Sequence, residues 1–394
     1  MTCNKSLLAS AVFLACAGSA MAAGDSVQLF GTIDVGVTHL TGVRPAESYG
    51  PGTVSVTSLS SGVQTPSHFG MRGSEELGGG LRLLFDLETG FCATGINQNA
   101  STLGASGSGS PPNSNGYCRG VGFMQYRSVV GLRGDFGTVL GGRMTTPQYD
   151  NEAYYIDPFG WGTTGTAGNL SLIPLMSDLR MSQTVLYRTP DLAGFTGKAA
   201  YSFAPATILG TLPTTSGPGS AVPRGWALDG RYETGGFRAG LSYLKLTNVA
   251  SDQATSPTTG ANTLAQVYGG YDFGVAKVTA EYARLAMDFN PGSAHFALLG
   301  LKVPLGAGAV LASYSQNVST MDTTAIGRQV ARQYALGYTY SLSRRTNLYT
   351  SYARITNTRD SWFGVGTATD YGGENDASPG ATAGGFALGI RHRF

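Results

Sequence analysis

The sequence predicts an all-β protein, a sixteen-stranded antiparallel β-barrel that crosses a membrane. Bulky apolar residues alternate with small or charged ones in segment after segment, as at Gly385–Phe394, where Phe386, Leu388, Ile390 and Phe394 share one parity. A strand with one face in lipid and one in water needs that two-residue period. Composition agrees: Gly is 58 of 394 residues, Tyr 20 and Phe 17, while charged residues make up only 13%. Beyond the first residues no apolar run reaches the ~20 residues of a spanning helix, and a closed sheet is the other way to satisfy backbone groups in lipid.

The chain opens with a secretory pattern. Lys5 gives a positive start, Leu7 to Ala17 an apolar run, and Ala20-Met21-Ala22 a small-x-small site, so cleavage is expected after Ala22 and the barrel is expected over 23–394. The run is short for an uncleaved anchor, and Phe13-Leu14-Ala15 fits poorly the pattern that precedes a lipid-modified cysteine. Without Lys5 the chain carries 25 of its 26 Lys and Arg against 24 Asp and Glu, a balance with no overall attraction to nucleic acid. Cys3 and Cys16 leave with the leader. Cys92 and Cys118 remain, and an oxidising periplasm permits them to pair; no His lies near either thiol to make a zinc site.

Strands are expected at about 27–40, 67–75, 81–91, 122–134, 138–144, 181–189, 195–203 and 225–233. Eight more follow at 237–246, 264–273, 276–286, 295–303, 308–317, 332–342, 346–356 and 385–394. Short connections such as Gly134-Asp135-Phe136-Gly137, Gly235-Gly236 and Pro304-Leu305-Gly306-Ala307-Gly308 supply Gly or Pro where the backbone reverses. They alternate with long connections rich in Ser, Thr, Gly, Pro and Asn at 92–121, 145–180, 204–224, 247–263, 318–331 and 357–384, which read as outer surface loops. Tight turns on one side and long loops on the other are the asymmetry of outer-membrane barrels.

Parity then separates two faces. Leu81, Leu83, Phe85 and Leu87, and again Tyr334, Leu336, Tyr338 and Tyr340, form apolar and aromatic rows that would meet lipid, with tyrosines near strand ends at the interface. A soluble sandwich could bury such rows as a core, but sixteen strands behind a leader suit closure better. The opposite parity gathers charge: Arg72, Arg82, Arg127, Arg133, Arg143, Lys198, Arg231 and Lys277 against Asp34, Asp86, Glu88, Asp229 and Glu281. A dry core would not tolerate these ions, so that face lines water.

The chain resembles the general diffusion porins of Gram-negative bacteria, and in particular the trimeric family common in β-proteobacteria. The resemblance runs through Val27-Gln28-Leu29-Phe30-Gly31-Thr32-Ile33-Asp34, Phe69-Gly70-Met71-Arg72-Gly73-Ser74-Glu75-Glu76-Leu77-Gly78 and Val130-Gly131-Leu132-Arg133-Gly134-Asp135-Phe136-Gly137. It continues through Tyr271-Asp272-Phe273-Gly274, Leu342-Ser343-Arg344-Arg345-Thr346-Asn347-Leu348-Tyr349 and Gly389-Ile390-Arg391-His392-Arg393-Phe394. It implies a homotrimer of sixteen-stranded barrels in the outer membrane, among its lipids and lipopolysaccharide, passing small hydrophilic solutes and ions. The third outer loop, at 145–180, would fold into the lumen and set its acids Asp150, Glu152 and Asp157 across from basic wall residues. Those basic positions match His68, Arg127 and Arg180, with Arg72 and Arg143 as neighbours by parity. His68 stands where the family usually has Arg, which makes part of the cluster titratable, so a weak anion preference is expected. The terminal aromatic, Phe394, would be read by the barrel assembly machinery.

Other chemistry is thin. Gly160-Trp161-Gly162-Thr163-Thr164-Gly165 has the letters of a dinucleotide fingerprint, but neither a strand before it nor a helix after it is legible. The four histidines form no ligand pair, and no serine elbow is present, so the sequence points to no metal, cofactor or catalytic site. A barrel hydrolase, a substrate-specific channel or an adhesin on the same scaffold are the alternatives; the aromatics read mostly on the lipid face, which argues against an aromatic sugar track.

Overall fold

The computed structural model describes residues 26–44, 52–94, 124–176, 179–204, 224–250, 259–288, 290–320, 328–358, 360–369 and 376–394. Its strands are β1 (Ser26–Val43), β2 (Val54–Ser61), β3 (His68–Gly78), β4 (Leu81–Gly90), β5 (Arg127–Gly134) and β6 (Gly137–Thr145). Then come β7 (Arg180–Arg188), β8 (Phe195–Ser202), β9 (Arg224–Thr234), β10 (Phe237–Ala250), β11 (Thr259–Asp272) and β12 (Lys277–Met287). The last are β13 (Asn290–Leu305), β14 (Gly308–Ser319), β15 (Gln329–Ser341), β16 (Thr346–Asn357) and β17 (Thr382–Arg393). Apart from β2 and β3, which both pair with β1, neighbours in sequence pair antiparallel, and β17 returns to β1 from Thr32–Arg393 to Thr41–Gly384, so the sheet closes.

The strand at Val54–Ser61 was not legible in its serine-rich sequence. Both β2 and β3 lie on the same side of β1, β2 against Val35–Val43 and β3 against Ser26–Thr32, so they are two halves of one wall strand. The barrel thus has the sixteen strands that the sequence predicts. Residues 62–67 leave the wall at this break. The Asp34 carboxylate holds them, accepting the Gln64 and Thr65 amides at 2.9 and 2.7 Å and the Tyr349 hydroxyl at 2.6 Å. β10, β11 and β13 also run further outward than their apolar alternation, with pairing out to Val249–Gly260, because polar residues there keep the ladder in water.

Alternation is clean on the outside. Leu241, Leu299 and Leu336 are exposed at 67, 59 and 59%, as expected of side chains whose partner is lipid. Leu336→Lys is therefore expected to destabilise the barrel by about 2–4 kcal/mol in lipid vesicles, read from a urea unfolding midpoint, if it sits near the bilayer midplane. The short turns are built as predicted, with Gly235 and Gly306 at φ +54° and +58°, a conformation costly for other residues.

The inside is not uniformly polar. The β6–β7 connection, the third outer loop, folds inward carrying α1 (Pro147–Asn151), a π-helical turn (Glu152–Ile156), a short 3-10 turn (Ala167–Asn169) and α2 (Ile173–Met176). Thr146 caps α1 by accepting the Tyr149 amide, and Pro147 fits the first turn. Behind the loop, Leu170, Leu172, Ile173 and Met176 pack with Leu244, Leu264, Leu285 and Phe296 of the wall, all at most 2% exposed. Each such side chain contributes roughly 1.5–3 kcal/mol. The reading of the lumen face as wholly water-lined is thus corrected over the outer parts of β10–β13, which bury an apolar patch.

The final connection, read as a surface loop, also turns inward. The Gly366 amide donates to Asn169 Oδ1 at 2.9 Å, the Ala368 amide to the Val63 carbonyl at 3.2 Å, and the Thr369 hydroxyl to the Ser61 carbonyl at 3.2 Å. At its far end Asp376 pairs with Arg44 at 3.2 Å. Residues 1–22, the expected leader, lie outside the described residues, as does Cys118. Cys92 is disulfide-bonded.

Candidate functional site

The third loop is fastened along the wall from β9 to β16. Gln148 Nε2 donates to Ser242 Oγ at 2.7 Å and Asn151 Nδ2 to Asp229 Oδ1 at 2.7 Å. Thr279 Oγ1 donates to the Ile156 carbonyl at 2.6 Å, and Asn317 Nδ2 to the Leu170 carbonyl at 2.7 Å. Asn169 Nδ2 donates to Gln333 Oε1 at 2.8 Å, and the Thr164 and Ser351 hydroxyls meet at 2.7 Å. Two wall glycines make room for the tip. A Cβ on Gly300 would lie 2.8 Å from Pro158 Cδ, and one on Gly337 2.7 Å from Phe159 Cε1.

This seating leaves a cavity of about 1020 Å³ between the loop, the strands β1 and β3–β5, and the turn ends of β12–β17. His68, Arg72 and Arg127 line it. Arg72 donates to Gln28 Oε1 from Nε at 3.1 Å and Nη2 at 3.0 Å, and lies 4.9 Å over the Phe30 ring. Arg127 Nε pairs with Asp86 Oδ2 at 2.8 Å. His68 Nδ1 meets the Pro66 carbonyl at 2.7 Å and its Nε2 lies 3.2 Å from Glu88 Oε1.

The other two expected basic residues do not reach this cavity. Arg180 is buried, stacked 4.0 Å over the Tyr126 ring with Nε donating to the Tyr126 carbonyl at 2.7 Å. Arg143 pairs across the sheet with Ser128, on the parity of the exposed Val130 and Val139. It thus faces outward, donating to the Gln125 carbonyl and the Ser182 hydroxyl at 2.7 and 2.6 Å.

The loop acids are consumed within the protein. Asp150 accepts from Lys198 Nζ at 3.1 Å and from Thr145 Oγ1 at 2.6 Å. Asp157 accepts the amides of Phe159, Trp161 and Ala167 at 3.0, 2.9 and 3.0 Å. Burial nevertheless pushes its carboxyl up to about 6, the three amides opposing. Of the fingerprint-like segment only the Trp161 amide meets a carboxylate oxygen among the described residues, and that oxygen is the chain's own Asp157. Glu152 is fully buried, accepts from Ser171 Oγ at 2.9 Å and shares a hydrogen bond with Glu281. Burial first, and the Glu281 carboxyl second, hold its proton well above the ordinary range. The expected acidic side of the constriction is corrected accordingly: the loop turns Tyr149, Tyr154, Tyr155, Phe159 and Trp161 to the cavity, with Asp157 spent on its own turn. The Asp-Pro-Phe-Gly-Trp stretch carried that signal, since it places aromatics among turn formers.

A sequence model of Gram-negative porins matches residues 9–360. The chain belongs to the Gram-negative porin family. An outer membrane porin protein of Bordetella pertussis is 30% identical over 430 residues, covering 99% of this chain and 100% of that protein. Outer membrane porin protein 32 of Delftia acidovorans is 31% identical over 412 residues, with 99 and 100% covered. The solved anion-selective porin from Comamonas acidovorans superposes with a TM-score of 0.71 at 25% identity, over 94% of this chain and 100% of that one. OmpT of Vibrio cholerae, at 16% identity and a TM-score of 0.62, shares the fold. The porin is accordingly a multi-pass β-barrel of the outer membrane and a diffusion channel for small hydrophilic solutes.

Proposed function

We propose that the porin prefers anions, as does the anion-selective porin from Comamonas acidovorans that it resembles, and that His68, Arg72 and Arg127 form the basic side of its narrowest section. One observation carries the reading. The carboxylates lining the cavity are spent on His68 and on backbone amides, while Arg72 hydrogen-bonds the neutral Gln28, stacks on the Phe30 ring and shares with Arg127 the single carboxylate of its cross-strand partner Asp86. A passage with uncompensated cations favours anions.

The reversal potential across a KCl gradient tests this, and a potential of the cation-selective sign ends it. Arg72→Glu exchanges one unit charge for its opposite beside the passage and is expected to lower the chloride-to-potassium permeability ratio about two- to fivefold. An unchanged ratio would remove Arg72 from the path.

A second reading is favoured by the loop aromatics: solutes with an apolar face, sugars among them, would slide along Tyr149, Tyr154 and Tyr155. Liposome swelling with sugars matched in size to amino acids separates this from plain sieving. Assembly as a homotrimer, recognition of Phe394 by the barrel assembly machinery and contact with lipopolysaccharide are part of the proposal. For the last, Arg332 and Arg354 stand on the lipid-facing parity of β15 and β16, beside the exposed Tyr334. Arg332→Glu with Arg354→Glu is expected to release lipopolysaccharide from the purified porin, read by its phosphate content.

A further inference from the structure

Toward the short-turn end the cavity gathers a second set of cations. Lys277, Lys302, Arg344, Arg345, Arg391 and Arg393 all line it. Lys277 and Lys302 are direct cross-strand partners on β12 and β13. The Arg393 amide donates to the Arg345 carbonyl at 2.8 Å, which brings the β15–β16 turn against the end of β17. Arg391 is fixed, its Nε donating to Asn347 Oδ1 at 3.0 Å and its Nη1 to Thr65 Oγ1 at 2.7 Å. Lys277 Nζ donates to the Tyr155 carbonyl at 3.0 Å.

Like charges set opposite one another weaken a sheet, and none of these six is in an ion pair among the described residues. The carboxylates that act on them are Asp34 on Arg391, and Asp272, the cross-strand partner of Lys277, with Glu233 on Lys277; Glu88 and Asp157 line the same cavity but are held by His68 and by amides. Hydroxyls of Ser341, Ser343 and Thr346 and the Asn347 side chain stand among the cations. Guanidinium forks match the paired oxygens of phosphate, and lysines add point charge.

We propose that this inner vestibule binds multiply charged oxyanions of the phosphate type, so that the porin captures phosphorylated solutes and not merely monovalent ions. A mildly positive field suffices to prefer chloride. Six cations around one cavity, with hydroxyl and amide donors between them, match a ligand carrying several negative charges on adjacent oxygens. The inference rests on the anion-preferring reading and names the ligand class it favours.

The test uses the full-length porin in planar bilayers in KCl, with inorganic tripolyphosphate added to each side in turn. The expected result is a saturable fall in chloride current, at lower concentration from the short-turn side. Arg344→Gln with Arg345→Gln, in a turn that carries no core contact, is expected to raise the half-blocking concentration about tenfold. Its heat-modifiable migration checks that the barrel is folded, and Arg224→Gln at the outer end of β9 should block as the parent does. Absence of block in a channel whose reversal potential is anion-selective overturns the inference alone, and so does a double variant that blocks like the parent. A cation-selective reversal potential overturns the underlying reading as well.

Discussion

Gly300→Leu lowers the single-channel conductance by about twofold or more, because the new side chain enters the space of Pro158 and drives the third loop off the wall into the passage. The Cβ alone would overlap Thr279 Oγ1, whose hydrogen bond to the Ile156 carbonyl is the nearest anchor, and stand 2.8 Å from the proline ring. Overpacking of this kind costs typically 1–3 kcal/mol, which the many remaining barrel hydrogen bonds absorb without unfolding. The direction is fixed by position: the open cavity lies on the far side of the loop, toward β1 and β3–β5. Single-channel recordings beside the parent, with heat-modifiable migration to confirm a folded barrel, provide the check. An unchanged or larger conductance would mean that the loop does not bound the passage.

The second large effect is one of pH. Three carboxyls of the inward-folded loops hold their protons more tightly there than they would in water: Glu152, raised by burial and by Glu281; Asp157, at about 6; and Asp376, which burial pushes up to about 7 against the pull of Arg44. A loop swung into solvent would return each to the ordinary carboxylate range near 4. Between that range and the raised value the folded-in state binds more protons, so its stability falls as pH rises, by about 1.4 kcal/mol per unit for each group in its window. Above the raised value the loss is complete and the slope vanishes. Current noise is therefore expected to be low near pH 5 and to grow up to about pH 7.5 as both loops loosen. Glu152→Gln keeps a donor toward Glu281 and an acceptor for Ser171, and Asp376→Asn removes the charge at the strap's end. Each should remove its own group's share of the rise, the two together more than either alone, and a parent channel whose noise ignores pH would contradict the sign.

Much of the wall was legible because period-two alternation is a strong signal wherever one face meets lipid. Leu336 between Ala335 and Gly337 declares its side without knowledge of any neighbour. Arg143 shows the limit: it shares the parity of Val139 on β6, but the strand is short and glycine-rich, with Gly141 and Gly142 before it, so its charge outweighed a weak apolar signal. The loop interior was harder. Leu244 and Leu246 occur on the parity opposite Leu241 and Tyr243, a strand apolar on both faces, which signals something packed inside. Read with Leu170-Ser171-Leu172-Ile173, that pattern locates the loop's docking patch. The fates of Asp150, Glu152 and Asp157 were not legible, since a carboxylate's partner depends on tertiary placement and each found one inside the protein.

The Phe394 amide donates to the Gly31 carbonyl at 3.0 Å, and the Gly31 amide returns a bond to the Phe394 carbonyl at 3.2 Å. Phe394 thus continues the seam between β17 and β1. Before that seam pairs, β1 and β17 are raw edges, each a template for pairing with another chain. Pairing of β17 with β1 removes both borders at once, so closure of this one seam leaves the wall without an unpaired edge. A wall without β17 would keep every other strand and still present two adhesive borders, along β1 and β16.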